Sequence, residues 1–196
     1  MDKIQMDENS RFEVEKVTGR IVKLAASRMK SGKSDISGSF TSDAILNGPD
    51  NLFTTIASVF RSFLYHGKVT KITLACAFLP LLKSMKDPSK IDSYRAIAAS
   101  SLILKLVNNV ILILWGHLLG SDSLQFGFKP NMSTVQCSWL VTEVIAQYVK
   151  EGSPVITILL NCSKAFDLCQ FSTLFLKLLE RSIPTIIVRI LISKYS

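Results

Sequence analysis

The chain has 196 residues, 48% of them hydrophobic and 19% charged: enough apolar side chain for a core, and too little charge for a disordered polymer. A formal charge of +8 and a pI near 9.4 point to a polyanionic partner such as nucleic acid, or to solubility alone, because the lysines and arginines are dispersed. The start MDKIQMDENSRFEVEK is charged and has no apolar stretch of signal-peptide type, and four cysteines without a Cys-x-x-Cys pair read as buried thiols of an intracellular protein, cytoplasmic or nuclear.

Residues 1–50 are polar and hold the Gly/Ser-rich run Ser31–Asp43, which reads as a partly disordered lead-in to a domain over 51–196. Pro49-Asp50 offers a cap to a helix in which Phe53, Ile56, Phe60 and Phe63 recur before Gly67. Thr73–Leu82 reads as an apolar strand with Pro80 at an edge or bulge, KSMKDPSKIDS as a charged turn, and Tyr94–Ala98 as a second strand. Together they predict a β-hairpin with a basic tip. Ser100 or Ser101 then caps a helix running to Gly120. Leu102–Leu119 is the most apolar stretch, but Lys105, Asn108, Asn109 and His117 interrupt it, and a membrane span needs about 20 mostly apolar residues. A buried core helix and no transmembrane segment are expected.

After a loop over Ser123–Ser133, the spacing predicts a helix over Thr134–Lys150 with Val141, Val144, Ile145 and Tyr148 on one face, broken at Gly152-Ser153-Pro154. The apolar run from Val155 to Leu160 reads as a strand ending at Asn161. Phe171, Leu174, Phe175, Leu178 and Leu179 form an amphipathic stripe, and Pro184 starts a last helix carrying Ile187, Ile190 and Leu191. Both stripes are expected to need further packing partners, leaving exposed apolar surface and poor solubility. The order is α+β, helix-rich with a small antiparallel sheet.

A strand that ends on a polar residue is how a sheet delivers a catalytic side chain. Val155–Cys169, VITILLNCSKAFDLC, does this with Asn161, and Phe166-Asp167 follows as the apparent start of a helix, with Asp167 as its N-cap. The segment resembles motif A of reverse transcriptases, which in LINE-type retrotransposon enzymes reads roughly Asp-x-x-Lys-Ala-Phe-Asp. Its first Asp binds the catalytic magnesium ions, and that position here is Asn161. The resemblance makes the Cys162 backbone carbonyl a second metal contact and Phe166 the gate that excludes a ribose 2′-hydroxyl. The plainer reading of Phe166 is a packing side chain.

Three further segments resemble the same family in the same order. FLPLLKSMKDPSKIDSYRAI is similar to the fingers hairpin, with Leu82 and Ala96 where the family often has proline. There Lys83 and Arg95 are implied to contact the nucleotide triphosphate; on their own they read as solvated charges at a hairpin base. QFGFKPNMST is similar to a segment near the template, implying template contacts for Phe126, Phe128 and Lys129; alone it reads as a packing corner. The run KSGKSDISGSFTSDAIL matches the start of the fingers loosely.

The resemblance implies the fingers and partial palm of a right-hand polymerase, an RNA or DNA template as partner, and magnesium as cofactor. No Asp-Asp pair follows Phe171, and Glu180 is the one acidic residue after it. The expectation is therefore a truncated, inactive fragment that binds no magnesium itself, with a non-enzymatic nucleic-acid-binding module as the alternative. Gly32-Lys33-Ser34 is not a P-loop, since position 27 is Ser, and no strand is expected before it. His66 and His117 read as surface and core residues.

Overall fold

The computed structural model describes residues 7–83, 87–162 and 165–195. These form two compact units: Met1–Leu118 with Phe171–Ser196, and Leu119–Gln170. The protein is a mixture of helices with one two-stranded antiparallel sheet, as the α+β expectation requires. No helix among the described residues is long and apolar enough to cross a membrane.

The first unit begins with α1 (Glu8–Glu15), α2 (Gly19–Ala26) and α3 (Ser42–Leu46). Asp7 accepts from Ser10 N–H at 3.0 Å and Thr18 from Ile21 N–H at 3.4 Å, capping α1 and α2. Val14, Val17, Val22, Ala25 and Ile45 of the polar lead-in are buried in the common core. The composition is polar because each short helix buries only one side.

Next come α4 (Asp50–His66), α5 (Lys71–Leu74), β1 (Cys76–Leu82), β2 (Tyr94–Ser100) and α6 (Leu102–Trp115). The predicted stripe of α4 holds, with Phe53, Phe60 and Phe63 buried. Two glycines set how neighbours approach it. A Cβ on Gly19 would lie 2.9 Å from Thr54 Oγ1 and 3.2 Å from Thr54 Cα, so α2 rests directly on α4. Gly67 ends α4 at φ +62°, where a Cβ would also meet the Arg189 guanidinium at 2.9 Å.

Helix α6 is the expected core helix, buried at Leu102, Leu106, Val107, Val110 and Trp115. It ends at Trp115 and passes into a 3₁₀ turn at Gly116–Leu118, short of Gly120. Its polar interruptions serve packing: Asn109 Nδ2 donates to Ala25 O at 3.1 Å, and Asn108 Oδ1 accepts from Lys194 Nζ at 2.8 Å. Burial holds the Lys194 ammonium below the ordinary lysine range. Trp115 Nε1 donates to Glu13 Oε2 at 2.6 Å, and Lys16 holds the other carboxylate oxygen at 2.6 Å. His117 is exposed, not in the core, because the helix has already given way to the 3₁₀ turn.

The unit closes with α8 (Phe171–Glu180) and α9 (Thr185–Tyr195). The α9 stripe already has its partner: Ile186, Ile187, Val188 and Ile190 are buried in the core that α4 and α6 share. Phe171 stacks on Tyr195 at 4.6 Å between centroids, while Leu176 and Leu179 of α8 stay exposed.

The second unit contains α7 (Thr134–Lys150), at its predicted bounds, with a capping box formed by Ser133 and Gln136. None of its residues is buried. The predicted strand over Val155–Leu160 does not form: no residue from 153 to 162 is in a strand. A β segment needs a neighbour to take its backbone hydrogen bonds, and among the described residues β1 and β2 pair only with each other. Leu159 and Leu160 are each 92% exposed. The cysteines also depart from expectation, Cys76, Cys162 and Cys169 being exposed and Cys137 half-buried.

The segment from Ser27 to Thr41 is fixed by its own polar groups. Ser42 is fully buried, and its hydroxyl donates to Lys30 O at 2.8 Å and accepts from Lys33 N–H at 3.0 Å. Asp35, also buried, accepts from Leu102 N–H at 2.8 Å and from the Ser37 hydroxyl and N–H at 2.6 and 3.0 Å. Burial alone would raise its carboxyl. The hydrogen bonds from Ser37 and Leu102 outweigh that and hold it below the ordinary aspartate range.

Asp35→Ala should lower unfolding stability by roughly 2 kcal/mol, since a buried N–H loses a charged acceptor. A depressed carboxyl contributes stability that is present above about pH 4 and lost as pH falls further, through its folded value. Urea midpoints should therefore differ between the two chains at pH 7 and converge in acid; equal midpoints at pH 7 would refute the assignment. A second expectation concerns the unpaired apolar segment. Ile158→Thr with Leu160→Lys should reduce aggregation, read by static light scattering, and scattering equal to that of the native chain would count against it.

Candidate functional site

Lys83 and Arg95 both belong to the hairpin end where β1 finishes and β2 begins. The register pairs Cys76 with Ser100, Leu79 with Ile97, Pro80 with Ala96 and Leu81 with Arg95. Strand side chains alternate, so Lys83, two residues past Leu81, lies on the same face as Arg95. The pairing extends one step further, with Lys83 N–H donating to Ser93 O at 2.8 Å. The strand bounds differ from expectation: β1 starts at Cys76 because Lys71–Leu74 makes a helical turn, and β2 runs on to Ser100. The tip that was expected to be basic includes residues 84–86, which lie outside the described residues.

The two cations are held differently. Lys83 is half-buried and its ammonium donates to Asp92 O at 2.6 Å, folded back on the 3₁₀ turn Ile91–Ser93. Arg95 is exposed, and its guanidinium has no hydrogen bond or ion pair among the described residues. The hairpin supporting them is apolar and solvated on both faces; Phe78 is 68% exposed, with Leu79, Leu81 and Ile97 exposed too.

The other implied residues belong to the second unit. The loop before α7 carries Phe126, half-buried, and Phe128, 95% exposed with φ +58°. A left-handed backbone is uncommon for a bulky residue, and it turns this ring outward from its own loop. The Lys129 ammonium donates to Asp122 O at 3.3 Å. Phe166, itself 78% exposed, stands edge-to-face with Phe128 at 6.1 Å between centroids and 89° between planes. Two aromatics from segments 38 residues apart, each implied in nucleotide or template contact, thus form one exposed pair. Such pairs are worth about 1 kcal/mol and leave ring faces open.

Asn161 and Cys162 lie exposed in the irregular segment before the pair, and Ser163 and Lys164 fall outside the described residues. Asp167 lies in the turn over residues 165–168, four residues short of α8, so it does not cap that helix. Magnesium takes hard oxygen ligands, and carboxylates offset its charge. The Asn161 amide and the Cys162 carbonyl supply oxygens with no formal charge. No group of three or more His, Cys, Asp or Glu among the described residues is placed to hold a metal. The donor set does not fit a two-metal centre.

One feature escaped the sequence reading. Arg28, Lys30, Lys33 and Lys105 line a single cavity of about 270 Å³ in the first unit. Lys30 and Lys33 flanking Gly32 gave a local signal, but Lys105 is 72 residues beyond Lys33 and only the fold joins them.

No protein-family model matches the chain, and no curated protein matches it.

Proposed function

We propose that the chain is part of a LINE-type reverse transcriptase domain, its fingers and the first part of its palm, without polymerase activity of its own. The observation that carries this is VITILLNCSKAFDLC, preceded in order by the hairpin and QFGFKP segments. The parent reaction is RNA-templated phosphodiester formation from deoxynucleoside triphosphates, assisted by magnesium. Lys83 and Arg95 on one hairpin face support the reading, since a paired point charge and planar fork suit a polyphosphate. The Phe128–Phe166 contact supports it as well, because it joins the two aromatic positions implied in substrate contact.

Inactivity follows from charge. Two metal ions must stabilise the attacking and leaving oxygens of an in-line displacement, and neutral Asn161 cannot offset that charge. The family's second set of carboxylates has no counterpart among these 196 residues, since no Asp-Asp pair follows Phe171. The purified chain should incorporate no nucleotide on a primed RNA template, and Asn161→Asp alone should restore none. Templated extension by either chain would overturn the assignment of inactivity. The family reading itself is checked in the coding DNA just downstream, where an Asp-Asp-encoding segment in some frame is expected; its absence from every frame would count against it.

The second reading is a non-enzymatic nucleic-acid-binding module derived from such an element, favoured by the +8 charge and by an exposed Arg95 guanidinium that has no partner among the described residues. It requires affinity for single strands that falls steeply as salt rises. Lys83→Gln with Arg95→Gln should then weaken binding of a labelled oligonucleotide. Unchanged affinity would remove the hairpin from this role.

A further inference from the structure

We propose that the cavity lined by Arg28, Lys30, Lys33 and Lys105, with Asn109 and Leu102, is a phosphate-binding site distinct from the hairpin. Its four cations come from two places: Arg28, Lys30 and Lys33 from the segment that follows α2, and Lys105 from the first turn of α6. None of the four side chains makes a hydrogen bond or ion pair among the described residues. The cavity beside Arg20 and Lys23 is different, because there Asp50 holds Lys23 at 2.7 Å.

Like charges gathered without a counter-ion repel each other, and a bound anion relieves that cost. The acids of the same loop are already engaged. The Asp35 carboxylate takes Leu102 N–H and Ser37, and Asp43 takes the Ser31 hydroxyl at 2.6 Å and Gly32 N–H at 2.9 Å. Leu102 N–H, at the start of α6, is consumed by Asp35, so the side-chain cations and not the helix end define the site.

The backbone that carries the lysines is fixed beforehand. Ser42, fully buried, bonds Lys30 O and Lys33 N–H through its hydroxyl, and its N–H donates to Lys33 O at 2.7 Å. Binding therefore orders side chains alone, which keeps its entropic cost low. A volume of about 270 Å³ falls just under the roughly 300 Å³ at which pockets accept drug-sized ligands. It has room for a phosphate group. The Arg28 fork and three lysine point charges match a multiply charged phosphate, either on a nucleic-acid strand or as free polyphosphate.

The test is a titration of the full chain with two probes, fluorescein-labelled oligouridylate and inorganic triphosphate, across a salt series. The variant R28Q/K30Q/K33Q/K105Q changes exposed positions only, and a thermal melt checks its fold. It should bind oligouridylate at least about tenfold more weakly, with a slope of log affinity against log salt shallower by about 2 to 3. The charge-keeping variant R28K/K30R/K33R/K105R should retain binding. Loss confined to triphosphate would support the cavity with free polyphosphate as its source. The proposal is overturned if the neutralised variant binds both probes as the native chain does, or if the native chain binds neither at low salt. It does not rest on the polymerase reading, since an active chain would leave this titration unchanged.

Discussion

The start of α6 is the point on which the first unit depends. Ser101 donates its hydroxyl to Thr73 O at 2.7 Å and accepts from Leu104 N–H at 3.1 Å, so one side chain caps the helix and ties it to α5. One residue on, Leu102 N–H takes the Asp35 carboxylate. Segments 28 and 67 residues away are thus fastened to a single helical turn. Each bond is buried, so each would be expensive to leave unmade. This junction sets where the hairpin leaves the core and where Lys33 stands relative to Lys105.

From that turn the rest of the unit follows as packing. α6 is apolar almost all round, a composition that suits a helix enclosed by others. Helix α2 and the core shared with α4 and α9 supply that enclosure, and the two half-buried asparagines find partners on Ala25 and Lys194. The same asparagines kept the segment from reading as a membrane span. Polar groups inside an apolar helix thus pointed correctly to a packed environment.

Legibility in the sequence tracked how much local pattern an element carried. The α4 stripe, the bounds of α7, the Ser101 cap and the paired strands were readable because capping and periodicity are local. α1 to α3 were not, since Val14, Val17, Val22 and Ala25 are spread thinly among polar residues and their burial is decided by α4 and α6. Val155–Leu160 misled in the opposite way: β-rich composition describes what would fit a sheet, and among the described residues the one sheet consists of β1 and β2 alone. Of the candidate site, residue identities were legible but not their engagement. Nothing local shows that Lys83 folds back on Asp92, or that Phe128 meets Phe166.

The lack of any buried residue in α7 has a thermodynamic consequence. Seventeen residues make a helix about 25 Å long, yet its order comes from propensity, a capping box and its own backbone ladder. Such a helix stands near the coil transition. Its amides open at a small fraction of the free energy that guards those of α6, and exchange with solvent without the core unfolding. Two levels of cooperativity are then expected, one for the core of the first unit and one for Leu119–Gln170. A calorimetric transition would record chiefly the first, and leave the second almost silent.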